Sequence, residues 1–237
     1  MRRYDEFRRF LYREYSPITK GLLLGAGIIS LLAWIYGLIG NLLSLQPVWL
    51  FFRPWTLITY PLVNRISLSF LFAVLWFWYI GGSLERGWGS QSYAIFLALV
   101  TLVTGVAISL VSALFFKGRI VVNGLWIPLV GLTWAWAELH PDWEALFWGL
   151  FPIRAKLLAW ILAGSTFLTH VQAGTGISGL LLGLASVSGI AVVYLFSGGG
   201  PFSRGVRYWA WQKGFSYEGW KEKMRERFRK RRLRRIK

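Results

Sequence analysis

The residues able to do chemistry are few, and they fall in two groups. Ser165, Thr166, Thr169 and His170 crowd one short segment. A serine or threonine hydroxyl becomes a useful nucleophile only when a neighbouring imidazole takes its proton, so this group raises acyl transfer. Ser165 and Thr169 are spaced i, i+4 and share a helical face, with His170 offset from it. The second group is Glu138-Leu139-His140-Pro141-Asp142-Trp143-Glu144, whose carboxylates and imidazole raise a metal or acid–base site. Each group has a plainer reading. Hydroxyls on buried helices usually bond back to their own carbonyls, and an acidic segment without recurring ligand spacing is a solvated loop. His140 and His170 are the only imidazoles and there is no cysteine, so neither a bound metal nor any other cofactor is expected.

The elements that must position these residues are membrane helices. Gly21–Phe52, Ile66–Leu84, Ser90–Phe116 and Ile120–Ala137 carry no charged residue, and Leu157–Ser203 is a further uncharged run of 47. One helix needs roughly 20 apolar residues to cross a bilayer, so the last run holds two. The break between them is expected at Thr169–Thr175. In hydrocarbon every backbone polar group must be paired within the chain. Continuous apolar runs without alternation meet that demand as helices, so the expected fold is an all-α bundle of six spans.

The 237 residues carry a net charge of +17, and the distribution of that charge points to a membrane surface. With six spans, 23 of the 27 Lys and Arg residues fall on the side of the two termini and 4 on the other. The positive-inside rule then makes both termini cytoplasmic. The chain divides into a basic interfacial segment (1–19), a membrane domain (20–197) and a basic tail (198–237). In the first segment Tyr4, Phe7, Leu11 and Tyr15 have helical spacing. In the tail Trp220, Met224 and Phe228 fall at i, i+4, i+8, and Lys221–Lys237 has a net charge of +9. A basic amphipathic helix of this kind is expected to lie on anionic headgroups, at about 1 kcal/mol per basic residue. A basic run alone is weak support for nucleic acid, and no specific nucleic-acid partner is expected. Ion-coupled transport is disfavoured because the spans hold almost no ionisable residues.

Gly21/Gly25 and Gly179/Gly183 are GxxxG pairs, which let helices approach closely in lipid. The sixth span, rich in small residues, is expected to be the packed centre. The loop after the first span carries Pro47, Pro54 and Pro61 with Trp49, Phe51, Phe52 and Trp55. It reads either as an aromatic belt or as a loop embedded among headgroups. Glu85 ends the second span before Gly87 and Gly89. A carboxylate so near hydrocarbon is costly unless satisfied, and amides of the glycine turn are its expected donors.

Pro54–Ser90 reads PWTLITYPLVN, an aromatic helix, and GGSLERGWGS. Trp55, Thr59, Tyr60, Gly81, Leu84, Glu85 and Gly89 resemble the loop and glycine–glutamate–glycine signatures of the rhomboid family of intramembrane serine proteases and their inactive relatives. The resemblance implies a rhomboid-like six-span bundle. It also implies a serine in a G-x-S-G motif of the fourth span and a histidine in the sixth. Those positions fall here on Asn123 and Gly176, and the positions supporting the oxyanion fall on Ser69 and Ala73, with an upstream histidine position on Asn64. A carboxamide is no acyl-transfer nucleophile. A histidine at Gly176 is expected to overpack the helices. The resemblance therefore implies an inactive, pseudoprotease or derlin-like protein that binds transmembrane segments of clients or complex partners. The alternative is a divergent intramembrane serine peptidase using Ser165 and His170.

Overall fold

The computed structural model describes residues 16–140, 144–147 and 151–197. The expectations for the first segment and for Trp220, Met224 and Phe228 lie outside the described residues. The chain is nearly all helical. Helix α1 (Pro17–Ile35) is followed by the short α2 (Gly37–Leu43), α3 (Thr56–Thr59), α4 (Leu68–Trp88), α5 (Ser90–Phe116) and α6 (Trp126–Leu139). Strands β1 (Glu144–Phe147) and β2 (Phe151–Arg154) then lead into α7 (Ala155–Val171), α8 (Gly176–Ser186) and α9 (Gly189–Ser197). The strands pair antiparallel, Glu144 opposite Arg154 and Phe147 opposite Phe151. Of the expected loop Glu138–Glu144, Glu138 and Leu139 end α6, Glu144 opens β1, and residues 141–143 lie outside the described residues. A short apolar run reads alike as helix or strand, and only its distant partner decides.

Four helical stretches are long and apolar enough to cross a membrane: Pro17–Ile35, Leu68–Trp88, Ser90–Phe116 and Gly176–Tyr194, the last comprising α8 and most of α9. Helices α6 and α7, at 14 and 17 residues, are shorter. At 1.5 Å per residue, 14 residues reach only about 21 Å, against a hydrocarbon core of about 30 Å. A short helix is tolerated at membrane depth where other helices surround its ends. That is the situation of α6, in which every residue from Ile127 to Ala137 is buried.

The packed centre is therefore α6, not the sixth span as expected. Gly131 of α6 meets Val100 of α5 and Gly189 of α9: a methyl on Gly131 would sit 2.7 Å from a Val100 methyl. Ile177, Leu180 and Leu184 of α8 are exposed. Only one face of α8 is packed, and it carries the glycines. A methyl on Gly179 would lie 2.5 Å from the Val171 carbonyl oxygen, and one on Gly183 would lie 2.6 Å from a Val171 methyl. Gly21 and Gly25 have nothing within 4 Å of that position. The first GxxxG pair thus brings no described element close, because α1 turns that face outward.

Two ends of the bundle differ. At one end α4 and α5 are joined by Gly89 alone, with φ +80°, a backbone conformation that favours glycine. Its amide donates to the Glu85 carbonyl at 2.9 Å. At the other end, residues 44–67 fold over the helices. Leu45 and Val122 exchange a pair of backbone hydrogen bonds at 2.9 Å, and the Val48 amide donates to the Gly118 carbonyl.

Candidate functional site

A cavity of about 1110 Å³ lies in front of α6, between α4 and α7. Its walls are mostly apolar, including Phe72, Leu75 and Trp76 of α4 and Leu158, Ile161 and Leu162 of α7. Helix α6 packs on both α4 and α7 and closes the back. Near the start of α6 the lining becomes polar, with Ser69, Asn123, Ser165, Thr166, Thr169 and His170.

Two of the four dyad and oxyanion-support positions, Asn123 and Ser69, therefore line one cavity. Asn123 is exposed there. Ser69 lines the same space and accepts the Trp126 indole N–H at 3.0 Å. The other two positions do not line it. Ala73 is wholly buried in the core. Gly176 begins α8 with φ +56° and open space where a side chain would project. A histidine at Gly176 would thus meet backbone strain rather than the expected clash, because the residue sits at a turn and not in a helix contact.

Ser165 and His170 share the cavity but not a hydrogen bond. The Ser165 hydroxyl donates to the Leu162 carbonyl at 2.9 Å, and Thr169 donates to the Ser165 carbonyl at 2.8 Å. The Nδ1 atom of His170 lies 2.8 Å from the Thr166 carbonyl. Each group is held by its own helix, the back-bonding that competes with any role as nucleophile. At the end of α6, His140 likewise contacts the Trp136 carbonyl. Among the described residues no cluster of histidine and carboxylates could hold a metal.

The segments flanking the cavity are pinned by the resemblance residues. Trp55 donates its indole N–H to the Leu42 carbonyl at 3.2 Å, and Thr59 donates to the Leu43 carbonyl at 3.0 Å. Both satisfy carbonyls that the end of α2 leaves without helical partners. Tyr60 is wholly buried. Its hydroxyl reaches the Thr101 carbonyl at 3.3 Å, and its carbonyl accepts the Gly124 amide at 3.0 Å. Burial pushes the Tyr60 phenol well above its ordinary range, so it remains a donor. Phe51 and Phe52 of the same loop are exposed, their rings edge to face at 5.6 Å.

Asn64 has a positioning role that the sequence reading missed. Its Oδ1 accepts the Leu125 amide at 2.8 Å, and its Nδ2 donates to the Pro61 carbonyl at 2.9 Å. Its own amide donates to Ser30 Oγ at 3.0 Å. One residue, through its carboxamide and its backbone amide, thus ties α1, the aromatic loop and the start of α6 together. The signal was present as the one carboxamide of the PLVN segment, but its partner lies 61 residues away.

At the opposite end Glu85 is 1% exposed and fully engaged. Its Oε1 accepts the Ile18 amide at 3.0 Å and the Ser90 hydroxyl at 2.7 Å. Its Oε2 accepts the Thr19 amide at 2.9 Å and the Thr19 hydroxyl at 2.8 Å. The donors expected from the glycine turn are thus replaced by amides of the first turn of α1. Free helix N-terminal amides favour a negative partner, and no side chain of α1 itself caps them. Gly81 and Leu84 are buried beside this joint, and a methyl on Gly81 would sit 2.6 Å from the Tyr93 hydroxyl.

The long apolar helices, the cavity open to their surroundings and the buried carboxylate define an integral membrane protein. Residues 20–197 match the family described as eukaryotic integral membrane protein (DUF1751). The chain belongs to that family.

Proposed function

We propose that the protein is a catalytically inactive, rhomboid-like scaffold that receives a transmembrane segment of another membrane protein in the cavity between α4 and α7. The observation that carries this reading is the composition of that cavity. It has apolar walls from α4 and α7, and a carboxamide, Asn123, where an active relative would hold its serine. Two transmembrane helices gain no hydrophobic drive from meeting in lipid; packing and interhelical hydrogen bonds hold them, at about 0.6 kcal/mol per polar contact. Asn123 and the hydroxyls near His170 offer such contacts from within a packing groove. Both termini are cytoplasmic in this reading, from the 23-to-4 division of basic residues. The tail lies on anionic headgroups and steadies the bundle against the membrane.

The peptidase alternative is separated by chemistry. A fluorophosphonate probe should fail to label the reconstituted protein, and a co-reconstituted single-span substrate should be recovered whole. Labelling that Ser165→Ala removes would replace the scaffold with an enzyme using Ser165 and His170.

A further inference from the structure

A second, smaller cavity lies at the other end of α6 and α7. It encloses about 230 Å³ and is lined by Trp134 and Glu138 of α6, Lys156 and Trp160 of α7, and Tyr194 of α9. The Trp134 and Trp160 rings meet edge to face at 4.8 Å. Glu138 and Lys156 both line it, yet among the described residues they form no ion pair with each other. Trp134 is 7% exposed, and its indole N–H is buried without an acceptor among the described residues.

We propose that this cavity binds a zwitterionic lipid headgroup of the phosphocholine type, a quaternary ammonium followed by a phosphate. Indole and phenol rings attract cations through their negative faces, and quaternary ammonium groups are the cations that aromatic cages hold best. A primary ammonium is more strongly hydrated and asks for several acceptors, where this cavity offers one carboxylate. Glu138 supplies the opposite charge for the ammonium. Lys156 supplies a cation for the phosphate. An anionic headgroup without an ammonium would meet Glu138 and the aromatic faces unfavourably. The volume is small beside the ~300–1,000 Å³ of sites for drug-sized ligands, which suits a headgroup whose acyl chains stay outside. The place suits it too: the last turn of α6 and the first of α7 are where the chain leaves its apolar helices. Trp160 and Tyr194 are themselves exposed on that rim.

Native mass spectrometry of the full-length protein in detergent tests this, with dioleoyl phosphatidylcholine, phosphatidylethanolamine and phosphatidylglycerol at equal concentration. Phosphatidylcholine should be retained at least tenfold more than phosphatidylglycerol, with phosphatidylethanolamine between them. Glu138→Gln and Trp160→Ala should each cut phosphatidylcholine retention about tenfold and leave phosphatidylglycerol unchanged, while Trp160→Phe keeps most of it. Glu138 is exposed, so Glu138→Gln should leave thermal stability unmoved, while Trp160→Ala gives up the ring contact with Trp134 and should lower it slightly. Free phosphocholine should bind at least tenfold more weakly than the lipid; equal binding would overturn the lipid assignment in favour of a soluble ligand. Equal retention of the three lipids, or indifference to Glu138→Gln and Trp160→Ala, would overturn the site.

Discussion

The Glu85 joint and the Asn123 cavity sit at opposite ends of the same helices and treat polar groups in opposite ways. At the joint, one carboxylate gathers four donors from α1 and from the start of α5. In the cavity, a carboxamide is left exposed and the Ser165 and Thr169 hydroxyls bond to their own helix. In lipid an unpaired polar group is expensive. The first arrangement closes that cost inside the fold and fixes where α1 stands. The second leaves hydrogen-bonding capacity facing a groove, where an incoming segment can use it. On the proposed function, the contrast separates the part of the bundle that holds from the part that would admit a partner.

The largest effect should come from the joint. Glu85→Ala strands two amides of the first turn of α1, at about 1–3 kcal/mol each when buried, so a loss of about 2–6 kcal/mol is expected. Glu85→Gln keeps one carbonyl acceptor and should cost less. Thermal unfolding in detergent measures both, and equal tolerance of the two changes would erase the contrast between the ends.

Gly179→Ala comes next. Its methyl would press on the Val171 carbonyl, and overpacking of this kind costs about 1–3 kcal/mol. Gly25→Ala, at the other GxxxG pair, should change stability by less than about 0.5 kcal/mol, as for an open position. A large loss at Gly25 in native membranes but not in detergent would reveal a partner on that face.

Asn64→Ala should cost about 1–2 kcal/mol, the range for losing a helix-capping acceptor. It should also loosen the start of α6, seen as faster hydrogen exchange at Leu125. Smallest of all, Asn123→Ala and Ser165→Ala should leave stability within about 0.5 kcal/mol. Their effect should appear only in capture of a membrane partner.

Much of this was legible in the sequence, for a physical reason. Charge-free runs mark apolar helices because a charge in hydrocarbon is costly, and the turn after Thr169 shows in its glycine and polar residues. The burial of Glu85 could be inferred from its place, but its donors on α1 could not: they lie 66 and 67 residues away. Small residues in α8 do not mark the centre of the bundle, because they serve one packed face of a helix whose other face is exposed. The better signal was in α6, where Ile127–Ala137 is apolar on every side with its two tryptophans inward, the pattern of a helix enclosed all round. The GxxxG spacing alone could not tell a packed pair from an outward one, since both obey the same rule.

A photo-crosslinking residue at Ile161 tests the admitting groove most directly. Ile161 lines the cavity on α7, and Leu110, exposed on α5, serves as the lipid-facing control. In native membranes, Ile161 should capture a discrete, full-length membrane protein that Leu110 does not, and Ser165→Trp, which fills the groove, should abolish that capture. Identical lipid-only adducts at both positions, or capture of cleaved fragments at Ile161, would contradict the account.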